Sequence, residues 1–109
     1  MREKQVEWAW SPAVAAVLPI PSGRRSSLVF EDEHIEVRYY APSGSDDQTP
    51  HDRDEVYVIA AGSATFLREG ESKPAARGDL IQVPARMEHR FVDLSDDFAT
   101  WVVFYGHKR

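Results

Sequence analysis

The sequence predicts an all-β fold, an antiparallel sandwich or barrel, on three observations. Short runs rich in Val, Ile, Phe, Tyr and Trp recur from Ser26 onward. Turn-forming clusters separate these runs at short, regular intervals. The sequence offers one short helix at most, and it lies ahead of that region.

The predicted strands are Ser27 to Phe30, Ile35 to Tyr40, Glu55 to Ala61, Ala64 to Leu67, Asp79 to Val83, His89 to Asp93 and Phe98 to Tyr105. Aromatic and β-branched side chains favour the pleated, half-buried surface of a sheet. The turns between them are Glu31-Asp32-Glu33, Pro42 to Asp47, Ala61-Gly62-Ser63, Glu69-Gly70-Glu71, Arg77-Gly78-Asp79 and Ser95-Asp96-Asp97. Each contains residues that tolerate tight backbone angles or hydrogen-bond their own main chain. The longest polar stretch, Ser43 to Asp54, reads as a loop.

Residues 1–25 form a separate N-terminal segment ahead of the barrel at 26–109. Ser11 can cap a helix and Pro12 suits its first turn. Ala13 to Leu18 then favours helix until Pro19 ends it. The segment is apolar on all sides, so it needs cover from the barrel or from a second chain. Trp8 and Trp10, just before it, read as packing or dimer-contact residues.

With 109 residues the chain favours one domain with one core. Its net charge of −5, with Lys and Arg scattered in short runs such as Arg24-Arg25 and Lys108-Arg109, argues against nucleic acid or an anionic membrane as partner. The absence of cysteine excludes disulfides, thiolate metal sites and cysteine nucleophiles. The longest apolar run, Pro12 to Pro21, is too short to span a bilayer. Arg2 and Lys4 precede it as in a signal peptide, but Glu3, Glu7, Trp8 and Trp10 break that pattern. A cytoplasmic location is the expectation.

Two of the four histidines stand at strand entrances. His51 precedes Glu55 by four residues, and His89 opens a later strand. Alternation along a strand groups Glu55 with Tyr57 and Ile59 on one face, and His89 with Phe91 and Asp93. Two imidazoles and one carboxylate meeting across a barrel would bind a divalent metal and leave positions open for substrate or oxygen. Nitrogen and oxygen donors suit Fe(II), Mn(II), Ni(II) and Zn(II) alike. His34 and His107 lack such partners and read as surface residues. Arg38 and Tyr39 are adjacent, so only one of them faces the cavity, and alternation alone does not choose. Asp93 is either an inward acid or a loop residue.

The stretch His51 to Gly62, with Glu55 and then Gly62 after six more residues, resembles the first cupin motif. Gly78, Pro84 and His89 resemble the second, and fifteen residues separate Gly62 from Gly78. The resemblance covers about Ser27 to Tyr105 and implies a small cupin, a jelly-roll β-barrel. It assigns His51, Glu55 and His89 as ligands of one divalent transition metal ion. Three positions depart from the family pattern. Thr49 stands where the first histidine of a pair is usual, leaving Gln48, Thr49 or water to complete the donor set. Arg86 replaces the usual Gly, and Asp93 the usual Asn. The loop Gln48-Thr49-Pro50-His51 and the ending Trp101 to Gly106 are similar to those of small metal-binding cupins.

The resemblance implies a small-molecule ligand or substrate and a homodimer. The expected function is a metal-dependent enzyme of dioxygenase, isomerase or lyase type, with Tyr57 as the candidate catalytic residue, two positions beyond Glu55 on the same face. The alternative is a non-catalytic module that binds or senses a small ligand.

Overall fold

The structure, a computed structural model, describes residues 7–46 and 48–108. Arg2 to Lys4, Asp47 within the predicted turn, and Arg109 lie outside the described residues. Within them the chain forms a short helix α1 (Pro12–Ala15) and eight strands: β1 (Ser27–Glu31), β2 (Ile35–Tyr40), β3 (Asp54–Ala61), β4 (Ser63–Arg68), β5 (Glu71–Ala76), β6 (Leu80–Val83), β7 (His89–Val92) and β8 (Ala99–Tyr105). All pairings are antiparallel, in a five-stranded sheet ordered β1-β2-β8-β3-β6 and a three-stranded sheet ordered β5-β4-β7. This is the jelly-roll architecture of the sequence prediction.

Seven of the strands match predicted ones to within a residue or so. Strand β5, Glu-Ser-Lys-Pro-Ala-Ala, has no counterpart in the sequence analysis, because nothing in its composition favours a strand. It forms because it lies at a sheet edge, paired only with β4, where a proline is tolerated. Only Ala75 in it is buried.

Period-2 alternation fills the space between the sheets. Along β3, Glu55, Tyr57 and Ile59 are buried while their neighbours are half-buried. Tyr57 and Ile59 pack with Phe66, Val83, Phe91, Phe98 and Val102 in the main core. Aromatic rings carry much of that packing, with Phe66 and Phe98 each within 4.8 Å of Phe91 between ring centroids. Gly62, in the β3–β4 turn, has φ +70, and a Cβ there would lie 2.8 Å from Phe98 Cα. Only glycine fits that close approach.

On the outer face of the large sheet a second cluster joins Ala15, Tyr39 and Ala99 with Leu18 and Trp101. Alternation therefore turns Tyr39 outward under α1, where its ring meets Trp101 at 4.9 Å, and turns Arg38 and Tyr40 inward. Helix α1 begins as expected, with the Ser11 side chain accepting from Val14 N at 3.2 Å. It is shorter than expected: beyond Ala15 the bonds tighten to Val17→Val14 and Leu18→Ala15. The predicted all-round burial holds only on the Ala15 side, since Val14 is 50% and Val17 81% exposed.

Candidate metal centre

The loop before β3 brings His51 to the mouth of the sheet, where its ring stands edge-on to Phe104 of β8 at 5.0 Å. Backbone bonding fixes that loop: Arg86 N–H donates to the His51 carbonyl at 2.6 Å, and Ala85 N–H donates to Asp54 Oδ1 at 2.9 Å. The loops carrying His51 and His89 are thus tied together. Arg86 holds this position with φ +67, in the region where the family's glycine is at ease, and its side chain is exposed. A left-handed non-glycine residue costs roughly 1–2 kcal/mol. Arg86→Gly is therefore expected to raise unfolding stability by about 1 kcal/mol, read by urea denaturation, because the relief of strain exceeds the added chain entropy. A destabilised variant would show that the arginine side chain holds the loop.

Glu55 enters from the five-stranded sheet and His89 from the three-stranded one. Glu55 Oε1 lies 2.8 Å from His89 Nε2 and 3.9 Å from His51 Nε2. The ligand atoms of the three side chains all fall within 4.8 Å of one another. Glu55 is 1% exposed, and its Oε2 is buried with no hydrogen-bond partner. An ionised, unmatched carboxylate oxygen in an apolar interior is costly, and a cation removes that cost. His89 Nδ1 meets the Met87 carbonyl at 2.8 Å, which makes Nδ1 the proton donor and leaves Nε2 for a metal. Two imidazole nitrogens and a carboxylate are therefore a donor set that can hold a divalent ion.

Burial pulls the His89 pKa down. The hydrogen bonds to Glu55 and the Met87 carbonyl, with the negative charges of Glu55 and Asp46, outweigh it and raise the pKa above the ordinary 6.5. Tyr57 is fully buried. Desolvation first, and then the Glu55 charge, hold its phenol well above its ordinary value, so the hydroxyl stays protonated. That hydroxyl donates to Gln48 Oε1 at 2.9 Å and lies 3.0 Å from His89 Nε2.

Gln48 reaches the cluster, whereas Thr49 is exposed. The Gln48 amide nitrogen donates to Asp46 Oδ2 at 2.7 Å. A carboxylate only accepts, so the amide orientation is fixed and Oε1 faces inward, 3.3 Å from His51 Nε2. Asp46, read from the sequence only as a turn residue, is 3% exposed and also accepts from Tyr40 OH at 2.7 Å and from Phe91 N at 2.8 Å. Asp93 is no inward acid: β7 ends at Val92, and Asp93 is exposed with φ +53. His34 is exposed, as expected.

A cavity of about 280 Å³ opens beside this centre, and its lining includes Gln48, His51, Val102 and Phe104 together with Arg24, Arg25 and Arg38. Among the described residues no helix is long and apolar enough to cross a membrane.

A two-sheet jelly roll with a His/Glu/His cluster at its open end defines the cupin class, and the comparisons agree. The family model for the cupin domain matches residues 36–105, and the chain belongs to that family. It is 40% identical over 77 residues to the uncharacterised protein SCO3923 of Streptomyces coelicolor, covering 69% of this chain and 73% of that protein. Among solved structures, a cupin 2 conserved barrel domain protein of Salinispora arenicola superposes with a TM-score of 0.69 at 20% identity, over 94% of this chain and 91% of its own. The EutQ protein of Clostridium difficile gives 0.64 at 17% identity over 73% of this chain, and the chain spans only 65% of EutQ. At these identities the structural likenesses establish the fold alone.

Proposed function

We propose that the protein is a metal-dependent enzyme acting on a small organic molecule in the cavity, with one divalent transition metal ion held by His51, Glu55 and His89. The observation that carries this reading is the orphaned, buried Oε2 of Glu55, a carboxylate whose ligand atoms group with those of His51 and His89. Gln48 Oε1 stands in for the family's missing histidine as a neutral fourth donor. Fe, Mn, Ni and Zn all suit these donors. Bound there, the ion would act as a Lewis acid or redox centre for dioxygenase, isomerase or lyase chemistry.

The chain's own residues do the rest. The His89–Met87 bond orients the imidazole. Phe104 and Val102 exclude water from one wall. Tyr57, protonated and 3.0 Å from His89 Nε2, would donate a proton to a substrate oxygen that reaches the centre. Tyr57→Phe is expected to keep the metal and slow turnover by ~10²–10⁴-fold. The assay is oxygen uptake and product formation across small acids, keto compounds and phenols, with His89→Ala as the inactive reference. Unchanged kinetics would assign Tyr57 to packing. A metal-loaded protein that turns over none of them and exchanges no ligand would favour a binding or sensing module.

The reading includes a homodimer in the cytoplasm. The cysteine-free composition fits that compartment. Trp8 and Val17, both 81% exposed, and Ile20, 58% exposed, form an apolar N-terminal surface that a second chain would cover. Light scattering is expected to give about twice the 12.4 kDa chain mass. A strict monomer at micromolar concentration would contradict this part of the proposal.

A further inference from the structure

The cavity beside the metal centre is lined both by His51 and Gln48 of that centre and by three arginines, Arg24, Arg25 and Arg38. The Arg24-Arg25 pair, dispersed charge when read in sequence, lies against β2 because the Arg38 side chain bonds the residue that follows the pair. Arg38 Nε donates to Ser26 Oγ at 2.7 Å, and Nη2 donates to the Ser26 carbonyl at 2.8 Å. Nη1 donates to Glu36 Oε2 at 3.0 Å. These three bonds use three of the five guanidinium N–H groups, which leaves two on a side chain that is 4% exposed yet lines the cavity.

Charge balance points the same way. The Glu36 carboxylate faces Arg38 at 3.0 Å and both Arg24 and Arg53 at 3.9 Å, so one anion is shared among three cations. Arg25 adds a further guanidinium to the lining. Arg24 and Arg38 thus bring more guanidinium to this lining than the shared Glu36 carboxylate neutralises. The neighbouring cavity on the far side of Gln48, which borders His89, carries Glu69 and Glu88 against Arg90. It has no comparable excess of cations.

We propose that the substrate or ligand of this cavity carries a terminal anionic group, a carboxylate or a phosphate, held by Arg38 with Arg24 and Arg25 while its other end meets His51 and Gln48. Guanidinium groups match the planar, multi-acceptor geometry of both anions. A cavity of about 280 Å³ confines the ligand to a small metabolite. The inference deepens the proposed function and rests on that reading for what happens at the metal, but the arginines can be tested without it.

Isothermal titration provides the test, with three probes: succinate, inorganic phosphate and the neutral succinamide. Each is titrated into the metal-free and the Mn(II)-loaded protein at low ionic strength. Succinate or phosphate is expected to bind in both forms, and whichever binds tighter identifies the anion. Succinamide is expected to bind at least ~10-fold more weakly, and anion affinity should fall with added salt. Arg38→Lys should weaken the anion by roughly 10- to 100-fold, since a point charge replaces a planar fork. The exposed double variant Arg24→Gln/Arg25→Gln keeps the buried pair intact and should weaken it by several-fold. Arg90→Gln, in the other cavity, should leave it unchanged. Succinamide binding as well as succinate, an anion affinity indifferent to the Arg24/Arg25 and Arg38 changes, or no binding of either anion at millimolar concentration would overturn the proposal. Arginine-dependent anion binding in a protein that takes up none of Fe(II), Mn(II), Ni(II) and Zn(II) would leave the proposal standing and remove the metal reading instead.

Discussion

Glu55→Gln is expected to abolish tight binding of the divalent ion while leaving a folded chain. Loss of an outer hydrogen-bond partner of a metal ligand typically costs ~10–100-fold in affinity, and loss of the one charged ligand should exceed that. The amide keeps the size of the carboxyl group but removes the charge that sits at 1% exposure. His89→Ala should abolish binding as well, and at a higher stability cost. It leaves the Glu55 carboxylate without its 2.8 Å partner, and a buried charge stripped of its partner costs about 3–5 kcal/mol. Titration with Mn(II) and urea unfolding of both variants separate the two effects.

The pH dependence follows from His89. Its folded pKa lies above 6.5, so without metal the Glu55–His89 pair stabilises the protein fully below about that pH. The contribution is lost as pH rises through the raised value. Metal binding needs the deprotonated imidazole and runs in the opposite sense, strengthening as pH rises through that value. Metal-free and metal-loaded samples should therefore diverge in melting temperature toward alkaline pH.

Asp46→Ala is expected to be strongly destabilising although Asp46 is not a metal ligand. One carboxylate accepts from Tyr40 OH, Gln48 Nε2, Gln48 N and Phe91 N. Removing it leaves the Phe91 main-chain N–H unsatisfied in the interior, at about 1–3 kcal/mol, and takes the Asp46 acceptor away from the Tyr40 phenol. Thermal unfolding reads that loss. Asp46→Asn preserves the shape but offers its own amide to Gln48, which disturbs the orientation of Oε1. It should lose less stability than the alanine variant and still weaken metal binding by roughly 10-fold. Full metal affinity in Asp46→Asn would mean that Gln48 contributes nothing to the donor set.

Most of the fold was legible because strand alternation and turn chemistry are local signals. Glu55, Tyr57 and Ile59 declare their common face through apolar spacing, and Gly62 and Gly78 punctuate the turns. Strand β5 was not legible, since a polar edge strand is held by its partner β4 and not by its own residues. His51, Glu55 and His89 could be grouped from spacing, and the fold brings their ligand atoms within 4.8 Å. Asp46 could not, because an aspartate in a Ser/Gly/Asp-rich turn looks solvated until a barrel closes over it. The choice between Arg38 and Tyr39 depends on which sheet face the N-terminal segment covers, a tertiary fact that alternation leaves open.

Metal stoichiometry tests the central claim most directly. Protein equilibrated separately with Fe(II), Mn(II), Ni(II) and Zn(II), then dialysed, is analysed for bound metal per chain. Wild type should retain about one ion of at least one of these metals, and a Glu55→Gln/His89→Ala variant with an unchanged circular dichroism spectrum should retain none. A wild-type protein that stays metal-free with all four, or a folded double variant that holds as much metal as wild type, would contradict it.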